Sequence, residues 1–139
     1  MPKLPSWFPR LSPQVWILAT GRFLSQSGTG FTLFYAPIYF VSQVGLSATA
    51  VGIGLGSGSI SGIFGRIVGG SFSDSKFWGR RRTLLLSAII SAIASFMLAA
   101  ANDFPSLVTA NLMMGFGVGL YWPATESMVA DLADGEQRQ

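Results

Sequence analysis

Few residues in this chain can make strong electrostatic contacts. Arg22, Arg66 and Glu126 stand singly among apolar neighbours, whereas Asp74, Lys76, Arg80, Arg81 and Arg82 crowd into one stretch, GGSFSDSKFWGRRRTLLL, from Gly69 to Leu86. Guanidinium and ammonium groups beside a carboxylate form ion pairs and charge-assisted hydrogen bonds, a chemistry that suits latching better than bond-making. The chain has no histidine and no cysteine, so the usual proton shuttle, thiolate and soft metal ligands are absent. No nucleophile paired with a base is visible. An enzymatic role, a metal site and a cofactor are therefore all unsupported.

The elements that must position these charges are apolar. Half of the 139 residues are hydrophobic and 11% are charged, with a mean hydropathy of +0.49. No Asp, Glu, Lys or Arg occurs between Phe23 and Gly65, from Thr83 to Asn102, or from Phe104 to Thr125. A helix needs about 20 mostly apolar residues to cross the hydrocarbon, so the lipid bilayer is the expected surrounding of the chain. The first of these runs is too long for one crossing, and the turn-like SQVGLSATA at its middle divides it. The expected fold is an all-α membrane protein with four transmembrane helices at about 14–41, 48–73, 83–101 and 106–130. A surface segment, 1–13, precedes this 14–130 domain, and a tail, 131–139, follows it. The length of the first apolar segment, followed at once by another, argues against a cleaved signal peptide.

Cations set the expected orientation. Lys3 and Arg10 precede the first helix, Lys76 and Arg80 to Arg82 fall between the second and third, and the other two loops hold no Lys or Arg. The positive-inside rule puts both termini and the basic loop in the cytoplasm, in a multi-pass protein of the plasma membrane. Serving as a topology anchor is one sufficient reason for that loop. Arg22, Arg66 and Glu126 all fall roughly 8 to 12 Å toward the cytoplasmic side of their helix centres at 1.5 Å per residue. They are expected to form a charge network in which Glu126 pairs with Arg22, Arg66 or a loop arginine. In the competing reading each arginine snorkels independently toward lipid phosphate.

The glycines Gly52, Gly54, Gly56 and Gly58 start no G-x-G-x-x-G run and precede no lysine, which argues against a nucleotide loop. Spacings of four, Gly54 to Gly58 to Gly62 and Gly115 to Gly119, predict small faces for close helix packing. Helix 1 carries a polar stripe of Arg22, Ser25, Gln26, Thr29 and Thr32. Such a stripe faces partner helices or a water-filled cavity. Pro37 and Pro123 are expected within helices 1 and 4, as tolerated kinks.

The order of residues in the basic loop carries a resemblance. Gly70, then Asp74 four residues on, then Lys76, Gly79, Arg80 and Arg81 resembles the signature loop between helices 2 and 3 of the major facilitator superfamily, with two more residues between Asp74 and Gly79 than the usual pattern. GLSATAVGIGLGSGSISGIFGRIVGG looks like helix 2 of that family, and NLMMGFGVGLYWPATESMVADLADGEQR looks like its helix 4 and cytoplasmic exit. In the loop, Gly70 is expected to admit a neighbouring helix, Asp74 to accept from amides or arginine, and Gly79 to permit the sharp turn. The paired arginines would bridge carboxylates on adjacent helix ends.

Helices 1 and 4 line the substrate path in the resembled family, which makes Gln26, Thr29, Asn111 and Trp122 candidate cavity residues. Asn111 stands where many proton-coupled exporters of the family carry an arginine, so a charge linked to proton coupling is absent. The resemblance implies the N-terminal part of a secondary transporter moving a small solute by alternating access, without cofactor or nucleic acid. Full transporters of this type have twelve helices in two halves, so the chain is expected to be incomplete alone, a truncated or split product whose partner is the remainder. One alternative is a small four-helix transporter acting as a homo-oligomer, although known ones depend on a glutamate in helix 1, where this chain has Arg22. Another is a non-transporting subunit that docks through its glycine faces.

Overall fold

The computed structural model describes residues 13–75 and 77–137, and the chain folds as four helices: α1 (Pro13–Ser42), α2 (Ala48–Ser73), α3 (Gly79–Ala99) and α4 (Phe104–Gln137). Residues 1–12, Lys76 and 138–139 lie outside the described residues, as does most of the expected surface segment 1–13. α3 starts at Gly79 rather than at 83, because the arginines after the turn join its first turn. α4 runs on to Gln137, so 131–137 of the expected tail are helical.

Two compact units divide the chain, Met1–Phe34 and Tyr35–Gln139. In the first, the described part of α1 turns most of its hydroxyls onto its own backbone. Thr20, Ser27, Thr29 and Thr32 donate to the carbonyls of Trp16, Phe23, Ser25 and Gly28, one turn earlier in each case, at 2.8 to 3.0 Å. This back-bonding lets hydroxyl side chains lie in an apolar helix without orphaned donors.

In the second unit, α1 ends at a left-handed Gly45 (φ 77°), and Leu46 N–H donates to the Phe40 carbonyl at 3.0 Å. Ser47 then caps α2, its hydroxyl accepting from Ala50 N–H at 3.2 Å. A core of Ala36, Phe40, Val51, Ala101 and Leu107 closes this end. At the other end Gly79 takes φ 72°, which costs a residue with a Cβ about 1–2 kcal/mol and explains a glycine at the start of α3. Asp103 caps α4: its Oδ1 accepts from Ser106 N–H at 2.8 Å, and Asp103 N–H donates back to Ser106 Oγ at 3.3 Å.

That reciprocal cap gives a pH prediction. Hydrogen bonding with the Ser106 side chain, then with its backbone, holds the Asp103 carboxyl below its ordinary value of 3.8. A carboxyl whose folded value is depressed stabilises fully above the unfolded value and loses that contribution as pH falls through the folded one. Amide exchange at Ser106 is therefore expected to speed up as pH drops below about 3.8, relative to mid-helix amides. Asp103→Asn, which keeps the acceptor without the titration, should remove that extra acceleration.

α2 and α3 both pack on α4 and touch each other little. Its glycines explain how. Positions two apart on a helix point roughly 200° apart, so Gly115 and Gly119 face α2 while Gly117 between them faces α3. A Cβ on Gly117 would lie 2.7 Å from Ser91 Oγ, and one on Gly115 or Gly119 would fall on the carbonyl oxygens of Gly58 and Gly62. Across the seam, a Cβ on Gly58 would sit 2.9 Å from the Asn111 carbonyl oxygen, and one on Gly69 would sit 2.8 Å from Leu120 Cα. Gly54 leaves room for the Leu107 side chain, 2.7 Å from where a Cβ would be. Backbone against backbone is how helices gain dispersion contacts in lipid, where no hydrophobic effect drives them together.

α3 is joined to α4 by a buried hydrogen bond, Ser87 Oγ donating to the Gly117 carbonyl at 2.7 Å. Ser87→Ala is expected to cost about 0.6–1.5 kcal/mol in resistance to denaturing detergent. Ser95→Ala, which loses only a local bond to Ser91 on an exposed face, should cost less.

Among the described residues, three helical stretches are long and apolar enough to cross a membrane: Ala48–Ser73, Gly79–Ala99 and Phe104–Ser127. Their outward residues include Ile60, Phe64, Ile67, Ile89 and Phe96, all exposed, as expected where hydrocarbon is the solvent. α1 has the length, at 30 residues, but is not among these stretches.

Candidate functional site

Two groups of the residues singled out in the sequence come together on α2, α3 and α4. The first is the loop between α2 and α3. Asp74 ends α2, its N–H donating to the Gly70 carbonyl at 3.1 Å, and its carboxylate is exposed. Ser75 then accepts from the N–H of the left-handed Gly79, and α3 begins. Two of the arginines point back into structure. Arg80 Nη1 reaches across to α4 and donates to the Ser127 carbonyl at 3.2 Å, while Arg82 Nη1 closes its own loop on the Phe77 carbonyl at 2.9 Å. Arg81 is exposed. Arg80 thus makes a charge-assisted hydrogen bond to a backbone carbonyl of α4, across the helix–helix interface.

The close approach that the sequence had led us to expect at Gly70 is not made by any helix among the described residues. A Cβ there would meet nothing within 4 Å, and the close approach is made one residue earlier, at Gly69. Gly54, Gly58, Gly65 and Gly69 fall within roughly 60° of arc at 100° per residue, and Gly70 lies outside it. That arc was present in the sequence, but counting only intervals of four stopped the face at Gly62. The Ser127 carbonyl as an arginine acceptor left no sequence signal, since every residue carries a carbonyl.

The second group is a cavity of ≈ 390 Å³ lined by Arg66, Trp122, Pro123 and Glu126. α2 supplies Arg66 and α4 supplies the others, one turn apart, so Trp122 and Glu126 share a face. The Arg66 guanidinium carbon lies 5.8 Å from the Trp122 ring centroid, a cation–π contact worth about 0.5–2 kcal/mol. Tyr121 meets the same indole edge-on, with centroids 6.4 Å apart. Arg66 and Glu126 both stand exposed at the cavity, and Arg66 engages the indole in it.

The remaining candidates lie apart from this cavity. Asn111 is half-buried and donates its amide to the Leu107 carbonyl of its own helix at 3.0 Å. Arg22, Gln26 and Thr29 lie on α1 within the first unit, Gln26 and Thr29 exposed and Thr29 bonded to Ser25.

Comparison with known proteins agrees with this architecture. The family model described as Major Facilitator Superfamily matches residues 9–139. The chain is 22% identical over 128 residues to the quinolone resistance protein NorA of Staphylococcus aureus, covering 92% of this chain and 32% of that protein. It is 24% identical, again over 128 residues, to the uncharacterized MFS-type transporter YqjV of Bacillus subtilis, covering 92% and 31%. No solved structure matches. The chain thus spans about a third of the length of these relatives. With the family model covering nearly every residue and four helices carrying the basic loop between the second and third, the chain belongs to the major facilitator superfamily.

Proposed function

We propose that this chain forms the N-terminal four helices of a secondary transporter that moves a small solute by alternating access, and that it works only when joined to the helices making up the rest of its relatives' length. The observation that carries this reading is the family match from residue 9 to 139, and the basic loop between α2 and α3 supports the N-terminal placement. Both termini and that loop lie in the cytoplasm, as the distribution of Lys and Arg favours. Arg80 then ties the cytoplasmic ends of α3 and α4 together, so these helices move as one body while the opposite half of the pathway rocks against them.

The polar stripe of α1, with Gln26 and Thr29, and the α4 residues Asn111 and Trp122 face the solute path. Asn111 carries no charge, so coupling to protons does not run through that position. The name of the Staphylococcus aureus relative suggests quinolone drugs as the first solutes to try. The test is quinolone accumulation in a drug-sensitive bacterial host expressing this chain alone, the remaining two-thirds of that relative alone, or both. Lower accumulation only with both is the expected result. Lower accumulation with this chain alone would favour a self-sufficient homo-oligomer, and no change in any strain would count against drug export.

A further inference from the structure

The cavity between α2 and α4 is more specific than a generic cleft. It presents a guanidinium from Arg66, a carboxylate from Glu126, one indole face from Trp122 and the ring of Pro123, in ≈ 390 Å³. That volume suits a small organic molecule. We propose that this cavity binds a small aromatic zwitterion, its carboxylate on Arg66, its ammonium on Glu126 and its ring against Trp122 and Pro123. The proposal rests on the transporter reading for its biological meaning, but the site is built by this chain alone.

Charge balance decides the ligand class. A ligand with only a carboxylate would satisfy Arg66 and crowd its own charge against Glu126. A ligand with only an ammonium would do the reverse and meet Arg66. A ligand charge set against the like-signed side chain is repelled, whereas a zwitterion matches both. A neutral apolar ligand would desolvate both charges without compensation. Aromatic character follows from Trp122: its face is already a cation site, held by Arg66 at 5.8 Å, and a flat ring can stack there when the guanidinium swings to the carboxylate.

The matched probes are 4-(2-aminoethyl)benzoic acid, its methyl ester and its N-acetyl derivative: one zwitterion, one cation and one anion with the same ring. Binding of each to the full chain in lipid nanodiscs is measured by calorimetry. The zwitterion is expected to bind about tenfold or more tightly than either relative. Glu126→Gln should abolish the preference over the N-acetyl compound and keep the preference over the ester. Arg66→Gln should do the opposite. Glu126 is exposed, so its replacement decides the matter even if the Arg66 variant fails to fold. A zwitterion that binds no better than both relatives, or a Glu126→Gln chain that keeps the full preference, overturns the proposal. Zwitterion binding as expected, with no transport by the joined protein, counts against the transport reading alone. Transport without the preference counts against this site alone.

Discussion

Gly115→Ala is expected to separate α2 from α4 and lower stability by about 3 kcal/mol. Its Cβ would fall on the Gly58 carbonyl oxygen and lie 2.5 Å from Ser61 Oγ. Neither is the flexible end of a long side chain, so the helices themselves must move apart. Every close contact along the seam, from Gly54 with Leu107 to Gly69 with Leu120, is then stretched. The control is Gly56→Ala on the same glycine-rich helix. Nothing lies within 4 Å of a Cβ there, so the change should be neutral or should stabilise by up to about 1 kcal/mol through helix propensity. Unfolding in increasing mole fractions of dodecyl sulfate, followed by circular dichroism, separates the two. Equal effects would mean that α2 and α4 do not meet through these glycines.

Arg80 carries the second large effect. Removing a charged donor from a half-buried carbonyl costs about 1.5–3 kcal/mol, and solvent reaching the loop reduces this toward the lower figure. Arg80→Gln is therefore expected to loosen the join between the start of α3 and Ser127, by about 1.5 kcal/mol. Hydrogen exchange should show it as faster opening of the turn of α4 around Ser127. Arg81→Gln, at an exposed position, should leave those amides unchanged. If the two variants behaved alike, the loop would act through its summed charge, as a topology anchor, and not through one hydrogen bond.

Much of the fold is legible in the sequence, for a physical reason. Hydrocarbon tolerates only helices, because an unpaired peptide group has no water to turn to, so an uncharged run such as Thr83–Ala101 has one conformation open to it. The turns were readable too: Gly45 and Gly79 both adopt the left-handed backbone that glycine permits. Local pattern failed where the outcome depends on a partner helix. Nothing in the sequence near Gly70 says that the neighbour lies against Gly69, because the direction of approach is set by α4. Nor did composition show that Gly117, between two glycines facing α2, would face α3 and accept from Ser87.

The site residues divide along the same line. Arg66, Trp122 and Glu126 were each conspicuous as a charge or aromatic group within an apolar run. Depth along the membrane drew the two charges together as candidates, and α2 and α4, which run parallel along their glycine seam, bring both to one cavity. Depth does not report rotation about the helix axis, which is what puts Trp122 under the Arg66 guanidinium. For Gln26 and Thr29 the stripe on α1 is a one-helix pattern, and the surface it faces is not encoded in its own periodicity.

The most direct test of the account is the size of this chain in mild detergent, expressed alone and with the remaining two-thirds of a facilitator relative. A monodisperse complex of one copy of each, formed only on co-expression, is the predicted result, with no discrete homo-oligomer of the 139-residue chain alone. A discrete homo-oligomer of the chain alone, unchanged by the added segment, would contradict it.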